Sequence, residues 1–232
     1  MQLLPAFMAS LLRAAPADVL TGFAIWCESW HENTRYGYWY DQSGNDRHLV
    51  SNDGTTFPFG LDAASGLPAY SAPPGNGGDY LYWRLPRISD VPQEYTLYYV
   101  LRVDEVSDTY LTLLEDEVAG FTYGFTHVLL NSQAGAVYQT TPQGISPAVA
   151  AGETAVLTVQ LNAAGATVRK NGQVIATGIP YTPSQARGGF LYNQSNFHQL
   201  RGAQFGFALS IGNDSLDKIQ ALESRWMQKL GI

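Results

Sequence analysis

The chain has 232 residues, a length at which one domain can bury a sizeable hydrophobic core without disulfides or metal ions. Charged residues make up 14% of the sequence and the formal net charge is -7, which argues against nucleic-acid binding, because that binding depends on clustered lysine and arginine. The single cysteine, Cys27, excludes an intrachain disulfide and a cysteine-based zinc site, as is typical of proteins that fold in a reducing cytoplasm.

The first predicted element is a short amphipathic helix that ends at Pro16. Its large apolar side chains recur every fourth residue and form one stripe: Leu3, Leu4, Phe7, Met8, Leu11 and Leu12. The stripe packs either on the sandwich of the same chain or, as an arm, on a neighbouring subunit, so these six are candidate partner-interface residues. The segment lacks a basic n-region and no apolar run reaches membrane-span length, so we expect neither a cleaved signal peptide nor a membrane anchor.

The central part of the chain shows the period-two alternation of half-buried antiparallel strands. Two runs carry it most clearly, each with one predicted face: Leu97, Tyr99, Leu101 and Val103, and then Phe205, Phe207, Leu209 and Ile211. The second run alternates with small residues, so we expect it to lie close under another element. Between two further strands, Asn171 and Gly172 predict a type I′ hairpin turn. Strands separated by glycine and proline in this way predict a two-sheet sandwich.

The last predicted element is a helix. Its apolar residues follow helical spacing: Leu216, Ile219, Leu222, Trp226 and Leu230. Asp214 or Ser215 is available as the N-cap, and Gly231 ends the helix. We therefore predict one domain overall, with an N-terminal helical arm over 1–20, a β-sandwich over 21–213 and a C-terminal helix over 214–232 that packs on the sandwich.

Two segments resemble a known family. Residues 39–48 read Trp-Tyr-Asp-Gln-Ser-Gly-Asn-Asp-Arg-His, in which Asp41 and Asn45 can bond their own backbone, Gly44 permits a positive φ and Trp39 anchors the turn. Together with the strand, turn and helix order over 167–232, this segment resembles the concanavalin-A-like and laminin-G-like jelly rolls common in bacteriophage structural proteins. The resemblance implies an all-β fold, a two-sheet antiparallel jelly-roll sandwich. Asp46 and Lys218 depart from the family pattern, which weakens any transfer of a bound ion.

Candidate catalytic and metal sites find little support in the sequence. Residues 115–117, Glu-Asp-Glu, lack the alternation with apolar residues that places two catalytic carboxylates on one strand, and we predict a hairpin tip there. Asp41, Ser43 and Asn45 open like a calcium loop, but the glycine and glutamate that such a loop needs later are missing. The four histidines lack the spacing of zinc ligands. We therefore expect no catalytic residues, no metal, no cofactor and no enzymatic activity.

Aromatic clusters around 36–40 and 80–83 leave three interpretations open, which are core packing, a protein interface and a carbohydrate groove. The candidate carbohydrate-binding residues are Tyr38, Tyr40, Tyr82 and Trp83. The family resemblance implies a non-enzymatic bacteriophage virion protein, a capsid decoration or tail-associated subunit. Such a protein would be a homo-oligomer that joins coat or tail proteins in the virion, after assembly in the host cytoplasm. The alternative is a lectin-like module that recognises a host surface glycan.

Overall fold

A computed structural model describes residues 19–51, 58–72, 83–85, 88, 94–104, 111–112, 114–116, 127–130, 135–138, 143–145, 149–180, 189–191 and 202–232. The six residues of the predicted apolar stripe and Tyr82 lie outside these ranges. In the described part of the chain, no helix is both long enough and apolar enough to cross a membrane.

The described elements are almost all strands. In chain order they are β1 (Ile25–Glu28), β2 (Tyr38–Trp39), β3 (Leu49–Ser51), β4 (Phe59–Leu61), β5 (Pro68–Ala72), β6 (Trp83–Leu85), β7 (Tyr95–Val103), β8 (Leu111–Thr112), β9 (Leu114–Asp116), β10 (His127–Leu130), β11 (Gly135–Tyr138), β12 (Gln143–Ile145), β13 (Thr154–Asn162), β14 (Gly165–Lys170), β15 (Gln173–Ile179), β16 (Gly189–Leu191), β17 (Gly202–Ile211) and the helix α1 (Leu216–Leu230).

Within the described ranges these strands form three antiparallel sheets. The main sheet has eight strands in the order β15-β14-β13-β7-β17-β5-β4, with β1 also paired to β17. The second sheet has the order β2-β3-β6-β16-β9, and the third has the order β12-β11-β10-β8. The third sheet lies beside the other two, because β10 approaches β9 and β12 approaches β15. The predicted all-β, antiparallel jelly-roll-like sandwich with a C-terminal helix is therefore confirmed.

Two hydrophobic cores lie on opposite faces of the main sheet. One face packs against the second sheet, and the buried residues there include Leu97, Tyr99, Leu101, Trp39 and Trp83. The other face packs against α1, and its buried residues include Tyr98, Val100, Ile219, Leu222 and Trp226. Alternate residues of β7 therefore enter different cores, which explains why nearly every residue of this strand is buried.

The ends of α1 follow the predicted capping rules. Ser215 is the N-cap, and its hydroxyl accepts a hydrogen bond from the backbone N–H of Lys218 at 3.3 Å. Gly231 adopts a left-handed φ of 73° at the C-cap. Leu216 departs from the predicted apolar stripe: it stands in the first turn, and 55% of it is exposed.

Lys218, where the family pattern favours an acidic residue, is buried beneath the first turn of α1. Its ammonium lies 2.8 Å from Asp214 Oδ1 and donates to Ser210 Oγ at 3.0 Å. It also lies 4.0 Å from the centre of the Phe23 ring. The buried charge is thus compensated within the fold.

The predicted hairpin turn is confirmed, since Asn171 and Gly172 have φ angles of 47° and 80°. The expectation of a close neighbour over β17 is also confirmed, because a Cβ added to Gly206 would stand 3.4 Å from Cζ2 of Trp226. The prediction that Phe205 shares a face with Phe207 is wrong. A register shift against β7 between Gln204 and Gly206 moves Phe205 to the α1 side, while Phe207 faces the second sheet.

The predicted hairpin tip at 115–117 is wrong for the two residues that the structure describes there. Glu115 and Asp116 belong to β9, which pairs with β16 inside the second sheet. Acidic residues are uncommon in strands, so the local composition does not indicate a strand here. Pairing with a neighbouring strand decides the conformation instead. Glu117 lies outside the described residues.

Candidate functional site

The turn between β2 and β3 is organised by one buried carboxylate. Asp41 Oδ1 accepts hydrogen bonds from the backbone N–H groups of Trp26 and Ser43, both at 2.9 Å. Its Oδ2 accepts from the Ser43 hydroxyl at 2.7 Å and from the Arg47 backbone N–H at 2.9 Å. The predicted Asx turn at Asp41 is confirmed. With four donors on two oxygens, this carboxylate acts as the centre of the turn and ties it to β1.

The rest of the turn is fastened to the segment before β1. Asn45 does not bond its own backbone as predicted; its Nδ2 donates to the carbonyl of Phe23 at 2.9 Å. Gly44 takes the predicted positive φ, 83°. Asp46 has a φ of 53°, a left-handed conformation that explains why glycine suits this position in the family pattern. Trp39 is fully buried, as expected of the anchor.

The same turn fixes the ring of His48. The backbone N–H of Asp41 donates to Nδ1 of His48 at 3.0 Å. An imidazole nitrogen that accepts a hydrogen bond carries no proton, so the neutral His48 ring holds its proton on Nε2. Nε2 lies 3.9 Å from Oδ1 of the exposed Asp46.

Four rings in successive contact form a row on this side of the second sheet, which we call the aromatic ladder: His31, Tyr40, His48 and Tyr38. His31 and Tyr40 are stacked at a centroid distance of 4.6 Å, and Tyr40 and His48 are stacked at 4.9 Å. Tyr38 follows, tilted against His48 at 4.9 Å. The guanidinium of Arg35 then lies 5.0 Å from the Tyr38 ring centre.

Strand alternation explains why the ladder faces outward. Trp39 pairs with Leu49 and both are buried, whereas Tyr38 pairs with Val50, which is 45% exposed. Continuing this register places Tyr40 opposite His48, so both fall on the outer face with Tyr38. The edge position of β2 in the second sheet leaves the ladder half-exposed.

The ladder presents ring edges rather than ring faces to a ligand. Tyr40 has His31 on one face and His48 on the other, while Tyr38 contacts both His48 and the guanidinium of Arg35. Among the described residues, the hydroxyls of Tyr38 and Tyr40 have no hydrogen-bond partner. Burial raises the pKa of the Tyr38 phenol, although Arg35 lowers it, so this hydroxyl keeps its proton and can donate. The outer rim is thus apolar ring edge tipped with hydroxyls.

The structure describes three of the four predicted carbohydrate-binding residues, since Tyr82 lies outside the described ranges. Tyr38 and Tyr40 lie together in the ladder, with His48 between them. Trp83 is fully buried between the sheets, where its Nε1 donates to Oε1 of Gln204 at 2.7 Å, so the prediction of a surface aromatic is wrong for this residue. His31 and His48 also belong to the ladder, although the spacing of the histidines in the sequence indicates no shared site.

A second polar cluster holds α1 against β1. Glu28 is buried, and its Oε1 accepts from Trp226 Nε1 at 2.7 Å and from Arg225 Nε at 3.0 Å. Its Oε2 accepts from Arg225 Nη2 and from Trp30 Nε1, both at 3.0 Å. Burial raises the pKa of Glu28, but the charge and hydrogen bonds of Arg225, with Trp226, outweigh it and hold that pKa below its usual range. These contacts give the cluster a structural role.

Buried Glu223 plays the same part further along α1. Its carboxylate accepts hydrogen bonds from Nε of Arg169 and from the hydroxyl of Thr158, both at 2.8 Å.

Across the ranges that the structure describes, no group of three or more His, Cys, Asp or Glu could hold a metal ion. Cys27 is fully buried, and burial raises the pKa of its thiol, so it is the apolar core residue that the sequence indicates.

No protein-family model matches the sequence, and no curated protein matches it. Solved structures do match in fold. Trypanosoma rangeli sialidase with 2,3-difluorosialic acid matches with a TM-score of 0.63 at 12% identity, over 92% of this chain and 34% of the sialidase. Domain 4 of AbnA, an arabinanase of Geobacillus stearothermophilus, in complex with arabinotriose, matches with a TM-score of 0.59 at 12% identity, over 79% of this chain and 91% of that domain.

The receptor binding domain of botulinum neurotoxin D matches with a TM-score of 0.65 at 9% identity, over 90% of this chain and 54% of that structure. The chain thus spans about a third of the sialidase and about half of the toxin structure. Likeness at such low identity shows the fold alone. The protein is an all-β, jelly-roll-like sandwich domain that carries a half-exposed aromatic ladder on one sheet.

Proposed function

We propose that the protein is a non-enzymatic carbohydrate-binding domain and that the aromatic ladder is its glycan site. The observation that carries the proposal is the alignment of Tyr38 and Tyr40 on the outer face of an edge strand, with hydroxyls that have no partner among the described residues. The similar fold of an arabinanase domain in complex with arabinotriose supports it.

The chemistry of the rim suits a sugar. Sugar rings combine apolar C–H surfaces with many hydroxyls, and their sites place a few polar groups among apolar and aromatic surface. The ring edges supply the apolar part. The Tyr38 and Tyr40 hydroxyls both donate and accept, and the exposed guanidinium of Arg35 adds donors at the end of the row. Because the rings already stack on one another, little side-chain freedom is lost when a ligand binds.

The test is a glycan microarray probed with labelled full-length protein and with the double variant Tyr38→Phe/Tyr40→Phe. The double variant keeps the rings and removes only the hydroxyls. We expect the wild type to bind a defined set of glycans and the double variant to bind them about 5-fold to 30-fold more weakly, as expected for two hydrogen bonds.

The matched control is Tyr36→Phe, which removes a hydroxyl from a neighbouring side chain that is 63% exposed and stands outside the ladder. It should bind as the wild type does. Equal binding by the double variant would place the glycan site elsewhere, and an array without any bound glycan would refute the proposal. Arabinotriose and sialic acid belong on the array, because a domain of similar fold and a sialidase of which about a third has a similar fold were solved with these sugars.

The bacteriophage virion role, with its protein partners and its location in the virion, stays a prediction. It rests on the sequence resemblance and on the apolar stripe of residues 3–12, which lies outside the described residues. A glycan-binding domain is compatible with that setting, since host recognition also calls for a surface that binds sugars.

A further inference from the structure

We propose that His48 is a positioning residue of the glycan site: its neutral ring sets the spacing of Tyr38 and Tyr40, and its protonation releases the bond that holds it, so glycan affinity falls in acid. This inference rests on the proposed function, because it concerns the same ladder. It goes further by assigning the control of that ladder to one imidazole.

The position of His48 in the stack carries the first part of the inference. It is the only ring in contact with both tyrosines, at 4.9 Å from each centroid, among the ring contacts of the described residues. A flat spacer of this kind determines how far apart the two hydroxyls stand. Among the described residues, the hydrogen bond that holds this ring runs from the Asp41 backbone N–H to Nδ1 at 3.0 Å.

Protonation acts on that bond directly. An imidazolium has a proton on both nitrogens and no acceptor, so Nδ1–H would then point at the Asp41 N–H. Because four hydrogen bonds fix the Asp41 carboxylate, the backbone of this residue cannot easily turn away. The ring of His48 must therefore shift, and the two tyrosine rings in contact with it must shift with it.

The charged and titratable groups around His48 carry charges of both signs. The rings of Tyr38 and Tyr40 contact it, Asp46 Oδ1 lies 3.9 Å from Nε2, and the Asp41 carboxylate lies in the same turn. The two carboxylates are negative, whereas Arg47, adjacent in sequence, and Arg35, beyond Tyr38, are positive.

Two variants of His48 remove its titration and differ in what else they keep. His48→Asn keeps an acceptor near the place of Nδ1 but loses the ring and the titration. His48→Phe keeps the ring and loses both the acceptor and the titration. His31→Asn is the matched control, because His31 ends the ladder and its Nδ1 accepts from the backbone N–H of Asn33 at 3.2 Å.

The same glycan array is read from about pH 5 to about pH 8, the range in which histidine changes charge. For the wild type we expect binding at least about fivefold weaker at the acid end, as expected for one lost hydrogen bond. Binding by both His48 variants should be weaker than wild type at neutral pH and should not vary over this range, while the pH dependence persists in His31→Asn. A flat wild-type profile, or an unchanged profile in His48→Asn, would overturn the proposal.

A second measurement keeps this inference separate from the glycan-binding proposal. NMR spectra of the ligand-free full chain follow the ring resonances of Tyr38 and Tyr40 across the same pH range. We expect both to move with one common midpoint in the wild type, and we expect Tyr38, whose ring contacts His48 and not His31, to stay fixed in His48→Phe. If the array shows no glycan, the proposed function fails, and these spectra alone decide whether His48 positions the tyrosines.

Discussion

Replacing Trp226 with alanine should remove the main attachment of α1 to the main sheet. Its side chain is fully buried and meets the Tyr98 ring edge-on at a centroid distance of 6.3 Å. One edge of the indole lies over Gly206, where the added Cβ of any larger residue would reach within 3.4 Å of Cζ2. The indole N–H also donates to Glu28 at 2.7 Å. A single substitution thus empties a large site and removes one donor from a buried carboxylate.

The expected loss is about 3 to 5 kcal/mol of the free energy of unfolding, the range measured when large aromatic residues are truncated in cores. Trp226→Phe refills most of the space but removes the N–H, so it loses less packing than Trp226→Ala while losing the same hydrogen bond. We expect it to cost about 1 to 3 kcal/mol, since Glu28 keeps its bonds from Arg225.

Chemical denaturation followed by far-ultraviolet circular dichroism measures both losses, with Gln220→Ala on the exposed face of α1 as the control. The control should change the midpoint little, because Gln220 contributes no core packing. A midpoint for Trp226→Ala equal to that of the wild type would show that α1 is not docked as described here.

Two further predictions concern acidic residues. The pKa of Glu28 is held below its usual range. Its contribution to stability is therefore complete above about pH 4.3 and is lost as pH falls toward its lower folded-state pKa. We expect the melting temperature to drop in that acid range and the drop to be smaller in Glu28→Gln. An equal acid drop in both proteins would contradict this assignment. Asp46→Gly should raise stability by about 0.5 to 1 kcal/mol, because glycine adopts the left-handed φ of 53° without strain, and an unchanged or lower denaturation midpoint would show that no strain is relieved.

Local rules were sufficient for much of the fold. The turn at Asn171 and Gly172 and the ends of α1 follow from conformations that a few neighbouring residues decide by themselves. The error at Phe205 has a different origin. A bulge depends on the pairing of β17 with β7, and buried residues on both faces of the main sheet remove the polar alternation that would reveal it.

The candidate site was predictable only in part for a similar reason. Aromatic composition indicated Tyr38, Tyr40 and Trp83 equally as candidate sugar-binding residues. The alternation of residues along each strand and the order of strands in the sheet place Trp83 in the core and the two tyrosines on the outer face. The sequence does contain one signal for His48. A turn that brings β3 back beside β2 pairs Trp39 with Leu49, which puts Tyr40 and His48 on the same outer face. Recognising it requires the length of the turn as well as its composition.

The pairing of β1 with β17 has a consequence for how the protein is made. During synthesis at about 5 to 20 residues per second, β1 emerges roughly ten to forty seconds before the β17 segment that pairs with it. Glu28 must wait longer still, for Arg225 and Trp226. Throughout that interval Ile25 and Cys27 lack their partners on β17, and β7 lacks its neighbour on one side. The nascent chain therefore carries unpaired strand edges until the last strand closes the main sheet, and slow translation would prolong its exposure to aggregation.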